Sequence, residues 1–306
     1  MTQNKFYLII GATSGKGLEV AAYLAKQGPE NFIIVGARDP ARAEALRKAV
    51  PLKQLLMLEL DTSSLRSVKS FAITVRATLA TNTLSGMALN AGIQIVSGDL
   101  HSEDGFELTF ATNVLGHVAL FELLQPSFAS ASVIVSTASG THDKDHKLAK
   151  PYKFFGGYFP SAEAVAAGNV SSSTDKAQLG RDRYATSKLC NILFTYAMAR
   201  KFGANGPRFI AFDLSLKPGT EIARDQPAAL RFAWKNILPT AAKMIDGAST
   251  AKRSGAMLAQ LLSQARHSTG PGLHIEFTGK EIPSSQMSHD KALQNALMTF
   301  ARKAAF

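Results

Sequence analysis

Tyr184 and Lys188 stand in the run Tyr184-Ala185-Thr186-Ser187-Lys188. Residues four apart on a helix lie one above the other on the same face. That spacing sets an ammonium beside a phenol. A free phenol titrates near pH 10 and relays protons poorly at neutral pH. A positive charge within a few ångströms favours the phenolate and draws the group toward working pH. Alone, the pattern more often marks a surface tyrosine beside a surface lysine. Its meaning depends on the elements that carry it.

The chain opens with the apolar run Phe6-Tyr7-Leu8-Ile9-Ile10, then Gly11-Ala12-Thr13-Ser14-Gly15-Lys16-Gly17-Leu18. Leu18, Ala21, Ala22 and Ala25 follow at helical spacing, so the segment reads as strand, turn, helix. Glycines at such a turn let the backbone take positive φ and approach a ligand closely. The helix N-terminus offers unpaired N–H groups to a pyrophosphate. The bland alternative is an ordinary glycine-rich turn.

A second strand, Asn31 to Gly36, runs into Ala37-Arg38-Asp39. NAD-specific folds usually place an acid there to hold the ribose 2′-hydroxyl. Arg38 would instead pair with a 2′-phosphate, which favours NADP(H), with Asp39 one position on as the opposing feature. A third run, Leu55 to Leu60, ends in Asp61-Thr62. Asp61 could accept a hydrogen bond from an adenine amino group, cap the helix that starts near Ser63, or do both.

Taken together, these residues resemble the short-chain dehydrogenase/reductase family. The glycine spacing Gly11, Gly15, Gly17 is similar to the family's, and Asn90-Ala91-Gly92 resembles its motif after the fourth strand. Phe110-Ala111-Thr112-Asn113 looks like the segment that carries its Asn. Val133 to Ser139 resembles its fifth strand, with the serine at the strand end; Ser136 is the earlier alternative. Thr112-Asn113-Val114-Leu115-Gly116-His117, Ser139-Gly140-Thr141-His142 and Ser187-Lys188-Leu189-Cys190-Asn191 lean toward the retinol-dehydrogenase-like and light-dependent protochlorophyllide-reductase-like branch.

The resemblance implies roles. Tyr184 would be the general acid that protonates a carbonyl oxygen, and Lys188 would lower its pKa and hold the nicotinamide ribose. Ser139 would orient the substrate oxygen, and Asn113 would help hold a water linking Lys188 to solvent. The cofactor set is Gly11, Thr13, Ser14, Gly15, Lys16, Gly17, Arg38, Asp61, Thr62, Asn90, Ala91, Gly92, Tyr184, Lys188 and Thr220. The chain departs from the pattern in several places, and Ile10 precedes Gly11 where the family often has Thr. Lys16 stands where the family is usually apolar, and either adds charge to the cofactor site or points to solvent. The family's Pro-Gly after the sixth strand is here Leu214-Ser215; Pro218-Gly219-Thr220 would be a partial replacement, in which Thr220 could bond the carboxamide.

The expected architecture is α/β: one Rossmann-type domain over residues 1–306, a doubly wound parallel sheet of about seven strands with helices on both faces. The expected strands are 5–10, 31–36, 55–60, 85–89, 132–137, 207–213 and 273–277. Two segments break the alternation. The insertion 142–183 carries Tyr152, Phe154, Phe155, Tyr158 and Phe159, which either line a binding mouth or form a satellite core. The segment 221–250 carries Phe232, Trp234 and Leu238 and would act as a lid.

Composition sets bounds. The net charge of +11 attracts nucleotides and acidic surfaces. No Lys/Arg run marks a nucleic-acid face, and no apolar run is long enough to span a membrane, although loose contact with anionic lipid fits the charge. The single Cys190 excludes an internal disulfide and fits a reducing, cytoplasmic setting, with core packing as its expected role. The histidines show no metal-ligand spacing, and no metal is expected. The leading expectation is an NADPH-dependent carbonyl reductase, or alcohol dehydrogenase in reverse, acting on a fairly large apolar small molecule. A homodimer or homotetramer is open. The rivals are carbon–carbon double-bond reduction, as in the protochlorophyllide reductases, and a non-catalytic NADP(H)-sensing protein.

Overall fold

The computed structural model describes residues 4–96, 98–214, 249–263 and 272–306. The strands are β1 (Lys5–Ile10), β2 (Asn31–Ala37), β3 (Leu55–Glu59), β4 (Leu84–Leu89), β5 (Phe128–Ala138), β6 (Arg208–Asp213) and β7 (Leu273–Glu276). They form one parallel sheet in the order β3-β2-β1-β4-β5-β6-β7. The order reverses between β1 and β4, and in doubly wound sheets a ligand crevice opens at the carboxyl ends of such a pair.

The helices are α1 (Gly15–Gln27), α2 (Glu44–Ala49), α3 (Leu65–Leu79), α4 (Leu108–Phe110), α5 (Gly116–Leu124), α6 (Ala162–Ala166), α7 (Lys176–Phe202), α8 (Ala251–Ser263) and α9 (Lys291–Ala305). Central strands covered on both faces read as near-continuous apolar runs, which explains Phe6–Ile10 of β1. Their alternation feeds two cores. Leu8, Ile10 and Ile34 face α3, α5, α7 and α9. Tyr7, Ile9, Ile33 and Val35 face α1, α2 and α8. Each large side chain buried this way contributes roughly 1.5–3 kcal/mol. In α1 the buried residues Gly17, Val20, Ala21, Leu24 and Ala25 keep the 3.6-residue period.

The insertion is shorter than expected as irregular chain, because α7 already begins at Lys176, capped by the Asp175 carboxylate on the Ala177 N–H. Its aromatic residues divide. Phe159 joins the core with Ala162, Val165 and Ala166, whereas Phe155 and Tyr158 are exposed. Arg183, buried on α7, ties the segment down by donating to Gly168 O at 3.0 Å and pairing with Asp99 at 2.9 Å. The expected lid, with Phe232, Trp234 and Leu238, and Thr220 with its Pro-Gly, lie outside the described residues apart from Ser249 and Thr250. No helix among the described residues is long and apolar enough to cross a membrane.

Candidate active site

The glycine turn joins β1 to α1. A Cβ on Gly17 would lie 2.1 Å from Gly11 O and 2.8 Å from Ala12 Cα, so strand end and helix pack against each other through hydrogen alone. Around Gly15 there is nothing within 4 Å of the same added atom. Ser14 precedes α1 without a side-chain cap, and the first turn carries no acid. Tight packing below, open space above and uncapped N–H groups suit an anionic ligand. Asn90 fixes the neighbouring loop by donating to Gly11 O at 2.9 Å.

Arg38 and Asp39 are exposed just past β2. Asp39 accepts the Ala41 N–H at 3.0 Å, a local role in the turn Pro40–Arg42. At the end of β3, the helix cap belongs to Ser64, whose hydroxyl accepts the Ser67 N–H at 3.1 Å. This corrects the capping alternative for Asp61, which instead accepts from the Ser63 N–H at 2.9 Å and the Ser63 hydroxyl at 2.7 Å. Thr62 is buried under α5, where a Cβ on Gly116 would lie 1.9 Å from Thr62 O.

Asn113 sits in a π-helical turn, Ala111–Leu115, between α4 and α5. Such turns are rare and often mark functional sites. Its amide accepts the Ile93 N–H at 2.8 Å and donates to Ile93 O at 2.9 Å and Ser187 Oγ at 3.0 Å. Ser187 donates in turn to Tyr184 O at 2.7 Å. Asn113 thus joins the loop carrying Ala91 and Gly92 to the helix carrying Tyr184.

Ser139 caps the short turn Gly140–His142 at the end of β5. Its hydroxyl lies near enough to the Tyr184 phenol to lower that group's proton affinity. Ser136 is buried within β5 and its Oγ has no hydrogen-bond partner among the described residues. Tyr184 is 6% exposed and Lys188 3%. Lys188 Nζ donates to Thr137 O at 3.1 Å and lies 5.4 Å from the Tyr184 ring centroid. Asn191 donates to the same carbonyl at 2.8 Å. The Phe154 ring stands 6.1 Å from that of Tyr184, so one aromatic of the insertion reaches the site. Ser139, Tyr184, Lys188 and Asn113 therefore converge at the carboxyl edge of the sheet.

The electrostatics depart from expectation at Tyr184. Burial pushes the phenol up, the Asp213 carboxylate pushes it further, and only the Ser139 bond pulls it down. Desolvation brings Lys188 itself down to about 8, against the pull of Asp213. Lys16 is turned inward enough to feel both groups. Burial and Lys188 lower it to about 7, while Asp213 raises it. Because Lys16 keeps part of its surface in solvent, water screens some of that coupling. Cys190 is fully buried and its thiol pushed up, which fits core packing. Among the described residues no cluster of His, Cys, Asp or Glu could hold a metal ion.

The comparisons with known proteins agree with this geometry. The family model described as short chain dehydrogenase matches residues 5–153. A short-chain dehydrogenase of Brassica napus, TIC 32 B, chloroplastic, is 31% identical over 75% of this chain and 71% of its own. The chain belongs to the short-chain dehydrogenase family. Human retinol dehydrogenase 14 is a 33% identical relative over 66% of this chain and 58% of its own, within the branch indicated by the motifs around His117, His142 and Asn191. Among solved structures, an NADPH-bound carbonyl reductase from chicken fatty liver shares the fold, with a TM-score of 0.64, 18% identity and coverage of 92% and 100%.

Sequence reasoning missed Asp213, His117 and His274. The signal for Asp213 was an acid closing the apolar run Phe209–Phe212. His117 is one turn beyond Asn113 and 2% exposed, and among the described residues neither ring nitrogen makes a hydrogen bond of ordinary geometry. Burial and the charge of Lys188 bring it down from 6.5 to about 3, and His142 is similarly lowered to about 4 by burial and His274. The unfolded chain therefore takes up protons that the fold refuses, and stability falls as pH drops below 6.5. For His117 alone the loss reaches about 3 kcal/mol by pH 4. Urea melts at pH 7 and pH 4 should show it, and His117→Leu should flatten the dependence. An equal slope in the variant would discount His117 as the source.

Proposed function

We propose that this chain is an NADPH-dependent carbonyl reductase, or the alcohol dehydrogenase of the reverse reaction, acting on a fairly large apolar substrate. The observation that carries the reading is the meeting of the Ser139 hydroxyl and Tyr184 phenol in a buried site with Lys188 one helical turn away. When bound, NADPH supplies the hydride. The residues of the glycine turn, Thr13, Ser14, Lys16, Asn90, Ala91 and Gly92 would hold it, with Asp61 and Thr62 toward the adenine and Lys188 toward the ribose.

The protein's own part is positioning and proton supply. Ser139 donates to the substrate oxygen and orients it beside Tyr184. Negative charge grows on that oxygen as the carbonyl is reduced, and preorganised donors stabilise it. Tyr184 transfers its proton there. Its raised proton affinity keeps it protonated at neutral pH, as a general acid must be. Lys188 supplies positive charge as the phenolate forms. Both amide protons of Asn113 are committed to Ile93 and Ser187, so a water relay to solvent would run by its backbone carbonyl. Phe154 beside Tyr184 supports an apolar substrate.

Cofactor choice rests on Arg38. Asp39 is engaged in its own turn, which leaves the arginine as the residue that would meet a 2′-phosphate. Arg38→Asp is expected to weaken NADPH at least tenfold and NADH less than threefold, by fluorescence titration, since a charge-assisted pair with phosphate contributes roughly 1.5–3 kcal/mol. Equal losses would remove Arg38 from cofactor choice. Cytoplasmic location, a single domain and a homodimer or homotetramer are part of the same reading; sedimentation reports the last. Double-bond reduction would be recognised by a product without a new hydroxyl.

A further inference from the structure

Ser139 must aim its hydroxyl, yet it stands where β5 has ended, at the head of a turn of three residues. Its hydroxyl accepts the Thr141 N–H at 3.4 Å, a long contact that holds little. Its carbonyl is held better. It accepts the His142 backbone N–H at 3.1 Å and meets His142 Nδ1 at 2.7 Å. A carbonyl only accepts, so Nδ1 carries a proton. The other ring nitrogen agrees: His142 Nε2 accepts the Ser285 N–H at 3.1 Å, and a backbone N–H only donates. One neutral tautomer satisfies both bonds, with hydrogen on Nδ1 and a lone pair on Nε2.

The ring has little freedom to leave this arrangement. His142 is 3% exposed. On β7, the His274 ring meets it edge-on, with centroids 5.3 Å apart at 88°. His274 Nδ1 in turn meets Pro283 O at 3.2 Å. Residues 283–285 therefore fix both imidazoles, one through a carbonyl and the other through an N–H. That stretch is anchored on α7, because the Ser284 hydroxyl lies 2.9 Å from the Tyr196 hydroxyl and 2.7 Å from that of Ser288. On the side of the insertion, the His142 carbonyl accepts the Gly157 N–H at 2.9 Å. Burial, and then the neighbouring His274, keep the ring uncharged at neutral pH.

We propose that His142 is a positioning residue for the reaction: its Nδ1–H holds the carbonyl of Ser139, and the segment after β7 holds the imidazole in the tautomer that can do so. Its use in catalysis rests on the carbonyl-reductase reading; the tautomer and the hold on the turn do not.

Three substitutions separate the two bonds. His142→Asn places an amide N–H where Nδ1 stood and does not reach Ser285. His142→Gln reaches the place of Nε2 and gives up the bond to Ser139 O. His142→Phe keeps a ring against His274 and makes neither bond. His142→Phe is expected to lower kcat for carbonyl reduction by roughly 10–10²-fold with KM moved less than about threefold, since a misplacement of about 1 Å costs up to that much. His142→Gln should fall with it, and His142→Asn should recover most of the loss. Amide hydrogen exchange across the turn Gly140–His142, read without turnover, should follow the same order. Long-range 1H–15N spectra of the 15N-histidine-labelled full chain, assigned from the backbone of residue 142, should show its ring protonated on Nδ1. Recovery by His142→Gln and not by His142→Asn would mean that the ring serves only to tie down the segment after β7, which overturns the proposal. A lower Tm with kcat and exchange unmoved, the mark of a merely structural ring, overturns it too. If the variants do not fold, the spectrum of the unaltered protein decides, and a proton on Nε2 refutes the assignment. The expected exchange order and an Nδ1 proton in a chain that reduces no carbonyl would sink the functional reading and leave the hold on the turn. Full turnover in all three variants would sink the hold alone.

Discussion

Tyr184→Phe is expected to lower kcat for carbonyl reduction by roughly 10²–10⁴-fold, the usual contribution of a positioned proton donor. The substitution removes one oxygen from a side chain that is 6% exposed and keeps the ring that packs beside Phe154. It also removes the polar interaction with Ser139. The loss of a single hydrogen bond costs about 1 kcal/mol, too little to unfold the chain. The dissociation constant for NADPH should stay within about twofold, because Lys188 keeps its bond to Thr137 O. Steady-state kinetics beside a fluorescence titration separates the two quantities. Turnover near that of the unaltered protein would remove Tyr184 as the proton donor.

Gly17→Ala is expected to have the second largest effect. The new methyl would lie 2.1 Å from Gly11 O and 2.8 Å from Ala12 Cα, and both neighbours are backbone. No side chain can turn aside, so α1 must move away from the end of β1. Overpacking of this kind costs about 1–3 kcal/mol, and opening the turn should weaken NADPH by tenfold or more. Gly15→Ala is the contrast. Gly15 has φ +57° with open space around it, so an alanine there meets backbone strain of roughly 1–2 kcal/mol and no collision. Thermal melts and NADPH titration of both variants should show the larger loss of affinity in Gly17→Ala. The reverse order would mean that the turn does not grip the nucleotide by close packing.

Most of the fold was legible because the local signals are strong. The runs Phe6–Ile10 of β1 and Phe32–Ala37 of β2 are apolar throughout, as strands covered on both faces tend to be. Caps and glycines mark where the helices begin. The site residues were legible by type and spacing, since Tyr184 and Lys188 share a helical face whatever the rest of the chain does. Their electrostatics were not. Spacing alone suggested an ammonium that draws a phenol down. The decisive influences are burial and the charge of Asp213, which is 29 residues further along and reaches the site only through the register of β5 with β6. The direction of Lys16 was hidden for the same reason, because its neighbours Lys188 and Asp213 come from distant elements. Phe154 and Phe159 are five apart in one insertion, yet one reaches Tyr184 and the other joins the core, a division set by tertiary packing.

The most direct test follows the hydride itself. Incubation with 4-deuterated NADPH and a series of ketones and aldehydes graded by size should yield alcohols that carry deuterium on the former carbonyl carbon, one per cofactor consumed, with larger apolar members favoured. Deuterium on a former double-bond carbon, or no cofactor consumption across the series by a protein that binds NADPH, would contradict the account.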